Sequence, residues 1–232
     1  MAPAALRSPH PAPGARPAVV VARQSRADGD LTRLGIIEAA GELLGERGYD
    51  GTTAKAVSER AGVNMAAINY HFGGRDGLYV AVLREVHQRV MSLAFMRQIA
   101  DSDAPPSEKL RHFLREMVRH ILHPDQWALR VWAREVLSPS PLLDQVLREE
   151  VAPKFDVLAG IVAQLTRRPA NDAALPQLVL SVAAPCLMLL VAGRHQATPL
   201  QPLFAQDPTE LADRLWRFAM AGLQAAEKPA KR

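Results

Sequence analysis

The sequence predicts an all-α chain, on three observations. Nearly every segment from Asp30 onward repeats its apolar residues at helical spacing. No stretch alternates as a strand would. Two short helices joined through a single glycine stand near the N-terminal end of this helical run.

Of the 232 residues, 48% are hydrophobic and 22% charged, enough to bury one large or two small cores. Net charge is +4 with a sequence pI near 9.6, which permits an anionic partner without naming one. A single cysteine, Cys186, leaves no intramolecular disulfide and fits a reducing compartment; it reads as a small core residue. The longest apolar stretch, Leu178–Gly193, is interrupted by Ser181 and Pro185 and reads as a buried helix, not a membrane span. Val19–Val21 is too short for a signal-peptide core. The expectation is a cytoplasmic protein without a membrane partner.

Residues 1–29 are rich in alanine and proline, with prolines at 3, 9, 11, 13 and 17 and arginines at 7, 16, 23 and 26. They are expected to form a disordered basic arm, either a solvated tail or, alternatively, a contact to DNA phosphates or the minor groove. A first helix follows, with Ile36, Ile37, Ala40, Leu43 and Leu44 on one stripe, ending at Gly48. Gly35, Gly41 and Gly45 weaken it, so packing has to hold it. Short helices are expected at Thr53–Arg60 and Asn64–Phe72, then a long one from Arg75 past Val90 to about residue 98. After the break at Asp101–Pro106 come helices over Leu110–Leu122, Trp127–Leu137, Leu142–Leu165 with a kink at Pro153, Leu175–Gly193 and Thr209–Ala226. The domains expected are therefore an arm (1–29), a DNA-binding head (30–75), a ligand-binding and dimerisation body (76–226) and a basic tail (227–232).

Thr52–Phe72, TTAKAVSERAGVNMAAINYHF, carries the functional signal. Thr53 suits an N-cap, Gly62 a left-handed helix end, and Asn64 the next N-cap, with Val63 and Ile68 as a hydrophobic staple. Ile68 and Phe72 then point with Val57 and Ala61 into a three-helix core. Met65, Ala66, Asn69 and Tyr70 fall on the opposite face, open to a major groove. Asn69 suits a bidentate pair with adenine, and Met65 and Ala66 suit thymine methyls. Lys55, Tyr70, His71 and Arg75 suit phosphates, together with backbone N–H groups at the helix starts, including the one capped by Asn64.

The stretch from Thr32 to Tyr79 resembles the DNA-binding domain of the TetR family. The landmarks are Ala39-Ala40, Gly48-Tyr49, Thr52-Thr53, Ala61-Gly62-Val63, Tyr70-His71-Phe72 and Arg75 followed by Leu78. The resemblance implies that the third helix reads bases while Thr53, Tyr70, His71 and Arg75 contact DNA. Asn69 and Met65 depart from the family's usual residues, which bears on the operator sequence. NMAAINYHFGG and the segment Trp132–Pro141 resemble a CecR-like subgroup linked to drug sensitivity.

The same resemblance implies a C-terminal half that pairs through its last two helices and encloses a small-molecule pocket. Leu211, Leu215, Phe218 and Gly222 form a stripe suited to the dimer interface. Phe113, Met117, Trp127, Trp132, Arg134, Phe155 and Met188 are candidate pocket residues, and Arg130, Arg194 and His195 polar candidates. His112, His120, His123 and Asp125 lack metal-site spacing, so no metal is expected.

No nucleophile–base spacing or phosphate loop indicates an enzyme. The expected function is a ligand-responsive homodimeric repressor on a near-palindromic double-stranded operator, with a small-molecule effector and no cofactor. A ligand-independent DNA-binding regulator is the alternative, and an α-helical enzyme the distant one. Between residues 30 and 90, seven basic side chains stand against eight acidic ones, so DNA binding is expected to have a shallow salt dependence unless residues 1–29 contribute.

Overall fold

The structure, a computed structural model, describes residues 18–123, 127–193 and 198–226, with side chains from Gly29 onward. The chain divides into two units, residues 1–35 and 36–232. Helix α1 is Ala18–Arg47. The arm expected over residues 1–29 is thus helical from Ala18, directly after Pro17. No proline interrupts the stretch from Ala18 to Arg47. Residues 1–17 and the tail 227–232 lie outside the described residues.

In the larger unit, α1 delivers Ile36, Ile37, Ala40, Leu43 and Leu44 to a first core. Helices α2 (Ala54–Ala61) and α3 (Met65–Phe72) add Val57 and Ile68, and α4 (Arg75–Met91) adds Leu78, Val82, Leu83 and Val86. Helix α7 (Trp127–Leu137) joins this core through Trp127, Ala128 and Val131. Gly41 explains how: a Cβ there would stand 2.4 Å from the Trp127 ring, so the glycine is the seat of the indole.

The expected long connecting helix stops at Met91. Ser92 adopts an extended backbone, and its hydroxyl accepts from Phe95 N at 3.1 Å, starting a separate α5 (Leu93–Asp101). A local cap outcompetes continuation of the apolar stripe.

The second core is built by α6 (Pro106–Leu122), α9 (Ala152–Thr166), α10 (Leu175–Ala192) and α11 (Pro208–Ala225). Before α9 lie α8 (Leu143–Val146) and a π-helical segment, Leu147–Val151. Pro153 has no N–H to give, and Ala152 N reaches back to Leu147 O instead, so the expected kink is absorbed as a π segment. Arg111 and Arg115 of α6 both fork onto Asp213 of α11 at 2.7–3.0 Å, fastening these helices and holding the Asp213 carboxyl well below the usual carboxylate range.

Helix α10 is long and apolar enough to cross a membrane by length and composition. Here Val179, Val182, Cys186 and Leu189 bury one of its faces in the second core. Among the described residues there is no strand.

Candidate functional site

Two features stand out: the turn carrying α3, and a cavity beside the far end of α4.

The turn has the geometry its sequence predicts. The Thr53 hydroxyl accepts from Ala56 N at 3.1 Å, capping α2. Gly62 takes φ +67, and Val63 N donates to Ser58 O at 3.0 Å, closing α2 in a left-handed cap. The Asn64 carboxamide oxygen then accepts from Ala67 N at 2.9 Å and starts α3. Ile68 is fully buried, whereas Met65, Ala66, Asn69 and Tyr70 are exposed, Tyr70 to 85%. A compact α3–α4 corner follows through Gly73 (φ +73) and Gly74 (φ +122).

Asn64 is committed to its helix cap. Arg75 differs from its expected part as a phosphate anchor. Its guanidinium donates to Thr52 O at 3.0 Å and to Tyr49 O, and lies 4.1 Å from the centre of the Tyr49 ring. Two carbonyls of the α1–α2 loop give the fork a fixed local partner, Tyr49 O accepting from Thr52 N as well. Other cations between residues 30 and 90 are also engaged: Arg60 with Glu42 at 2.8 Å, Arg84 with Glu149 at 2.6 Å, and Arg89 with Glu38 and Glu85. Lys55 stands 3.9 Å from Glu59, and both are well exposed. His71 is half-buried, edge-on to Tyr70 with ring centroids 4.9 Å apart.

The cavity, about 300 Å³, lies among α4, α6, α7, α9 and α10. Of the expected lining residues, Phe113, Met117, Trp132 and Phe155 line it. Trp127 does not. Its indole N–H donates to Glu38 at 2.7 Å and its ring fills the Gly41 seat. Arg134 does not either, since it donates to Gly45 O and Glu46 O at the end of α1 at 2.9 and 2.8 Å. Both lie on the face of α7 turned to α1, opposite Trp132. Met188 is 56% exposed and stands off the cavity, whereas Val179, Ala183, Cys186 and Leu190 line it from α10, with the exposed Leu180 and Leu187 at its rim. Arg194, His195 and Asp125 lie outside the described residues.

Sequence reasoning missed His87 of α4 and Lys154 of α9, the two basic side chains of the wall. The missed signal was a polar residue on an apolar stripe: His87 falls one turn after Leu83 and between Val86 and Val90. Burial pushes the His87 imidazole down to about 3, helped by Lys154, so it is neutral near neutrality. Lys154 Nζ donates to His87 O at 3.1 Å and faces Glu150 at 3.5 Å. Cys186 also lines the cavity, and burial pushes its thiol up to about 12, which makes it unreactive.

The expected dimer stripe is divided. Leu211 is buried in the second core and Leu215 packs partly against it, because α11 turns that edge to α6. Phe218 is 77% exposed and Gly222 is exposed with it. On α10, Leu180, Leu187 and Met188 are exposed too. His112 and His120 are engaged locally, the first edge-on to Phe95 and the second with Glu116 at 3.1 Å.

A capped helix–turn–helix on a helical body with an apolar cavity defines a class: one-chain transcriptional regulators. Two family models identify it further. Residues 36–82 match the bacterial regulatory proteins of the TetR family, and residues 106–223 match the C-terminal domain of the HTH-type transcriptional dual regulator CecR. The chain belongs to the TetR family, with a C-terminal domain of the CecR type, and is a regulator, not an enzyme.

It is 28% identical to CecR of Shigella flexneri over 155 residues, 62% of this chain and 69% of that one. It is 33% identical to the regulator BetI of Burkholderia mallei over 76 residues; that match covers 33% of this chain and only 39% of BetI. A putative transcriptional regulator of Pseudomonas aeruginosa shares the fold at TM-score 0.66 and 20% identity, over 89% of this chain and 98% of that one. FadR of Bacillus subtilis, solved in complex with stearoyl-CoA, does so at TM-score 0.65 and 17% identity, over 82% and 98%.

Proposed function

We propose that the protein is a cytoplasmic, homodimeric, ligand-responsive repressor that reads a near-palindromic operator through α3. The single observation that carries the reading is the double duty of α4. Its first turn is bound to the reading helix through the Gly73–Gly74 corner, and Arg75 at that turn grips the α1–α2 loop. Its last turns, through Val86, His87, Val90 and Met91, form one wall of the cavity. A molecule that repositions those turns moves the reader with them.

Met65, Ala66, Asn69 and Tyr70 face outward as base readers. Lys55, Thr53, His71 and the capped N-terminus of α3 supply phosphate contacts. The exposed apolar side chains Leu180, Leu187 and Met188 of α10 and Phe218 of α11 supply the face on which two copies pair. Pairing sets two recognition helices about 34–36 Å apart, one turn of DNA. That FadR, a protein of similar fold, holds stearoyl-CoA supports an apolar effector site in the helical body. The cavity favours this reading over a ligand-independent regulator.

Footprinting on DNA flanking the protein's own gene tests the proposal. The expected result is protection of two half-sites one helical turn apart, abolished by Asn69→Ala. Absence of any two-fold protected site contradicts it.

A further inference from the structure

We infer that the cavity takes an uncharged, largely apolar molecule bearing one hydroxyl or carbonyl, and that this group pairs with His87 Nε2. The inference rests on reading the cavity as the effector site. Its second observation is an unmet need: His87 is 8% exposed and lines the cavity, and its Nε2 is buried without a hydrogen-bond partner, so pairing with a cavity-bound group entails a turn of the imidazole toward the cavity. A buried polar nitrogen without a partner costs free energy until something supplies one.

Charge decides against the alternatives. Lys154 is the cationic group of the wall, and its ammonium is already shared between Glu150 and the carbonyl of His87. A carboxylate entering the cavity would compete with Glu150 and surrender its own hydration for an occupied partner. A cationic ligand would meet Lys154 with no acidic side chain among the lining residues to receive it. A neutral imidazole, by contrast, offers one donor and one acceptor, and a hydroxyl satisfies whichever of the two Nε2 presents.

Size narrows the class further. About 300 Å³ stands at the small end of ligand pockets, which suits a compact ring with a short apolar substituent. The contact also falls where it has consequences. The His87 ring lies edge-on to Trp132 of α7 with centroids 4.3 Å apart, so a bond to Nε2 acts on the α4–α7 contact.

The test is calorimetric titration of the full chain at pH 7.5 with four matched probes: 4-propylphenol, 4-propyltoluene, 4-propylbenzoate and 4-propylbenzylammonium. The phenol is expected to bind most tightly. His87→Phe, which keeps the ring against Trp132, is expected to weaken the phenol about five- to tenfold and leave the toluene unchanged. Ala183→Phe, which fills the cavity, is expected to remove binding of both, with unchanged circular dichroism confirming that the fold survives.

If the probes are blocked by Ala183→Phe but benzoate or ammonium binds best, or His87→Phe spares the phenol, this inference fails and the cavity reading stands. If no probe binds, or Ala183→Phe changes nothing, the cavity reading itself fails.

Discussion

The Tyr79 hydroxyl of α4 donates to the carboxylate of Glu135 of α7, fifty-six residues further along the chain and only 2% exposed. The other oxygen of that carboxylate accepts from Ser140 N at 3.0 Å and from Ser140 Oγ at 2.6 Å. Burial and the facing carboxylate together raise the Tyr79 phenol well above its ordinary range, so it remains a donor. The Trp-Ala-Arg-Glu…Ser-Pro-Ser-Pro segment thus works as a clasp: Arg134 holds α1, Glu135 holds α4, and Ser140 completes the acid's shell.

Removing the acid strands one buried donor, the Tyr79 hydroxyl, and two half-buried ones on Ser140. Glu135→Ala is expected to lower stability by roughly 2–4 kcal/mol and Tyr79→Phe by about 1 kcal/mol, read as shifts of the urea midpoint. Equal small effects would mean that the clasp is solvated.

Two helix glycines are expected to respond to alanine with opposite signs. Gly41→Ala gains helix propensity but drives a Cβ into the Trp127 ring, a net loss of about 1–3 kcal/mol. Gly160→Ala in α9 meets open space and gains about 0.5–1 kcal/mol. Thermal denaturation of the two variants checks the contrast.

Stability is expected to fall on the acid side in a way traceable to His87. Its folded pKa, about 3, lies below the ordinary 6.5, so below about pH 6.5 the unfolded chain binds a proton that the folded one refuses. The stability this group contributes is full above pH 6.5 and declines as pH falls, by about 1.4 kcal/mol per pH unit. His120, also lowered by burial, adds to the total slope. The comparison of wild type with His87→Phe between pH 7 and pH 5 isolates one proton, and identical slopes would refute the assignment.

DNA affinity is expected to separate Arg75 from Lys55. Lys55→Ala removes a phosphate contact and reduces the salt slope by about 0.9. Arg75→Met weakens binding at every salt concentration without changing the slope, because the guanidinium holds Tyr49 O and Thr52 O. A drop in slope for Arg75→Met would return that residue to the phosphate backbone.

Much of this was legible in the residues. Caps at Thr53, Gly62 and Asn64, and the burial of Ile68 opposite Met65 and Asn69, follow from local chemistry within a few residues. Choices between two cores were not legible. Period 3.6 says that α7 has apolar faces, but not that Trp127 meets α1 while Trp132 meets the cavity. Helix α10 is apolar on nearly every face, so its pattern names no inward one, and Met188 lies off the cavity. Arg75 shows a third limit: the direction of loop carbonyls is invisible in sequence, and those of Tyr49 and Thr52 hold a side chain that the motif alone assigns to DNA.

The claim that α4 carries cavity occupancy to the reading helix is tested most directly by operator affinity with and without an occupant. The measurement is a gel-shift titration of the footprinted operator, with 4-propylphenol absent and then at a concentration that calorimetry shows to be saturating. The account predicts a loss of at least about tenfold in affinity, restored by Ala183→Phe, which bars the probe. Unchanged operator affinity with the cavity demonstrably occupied would contradict it.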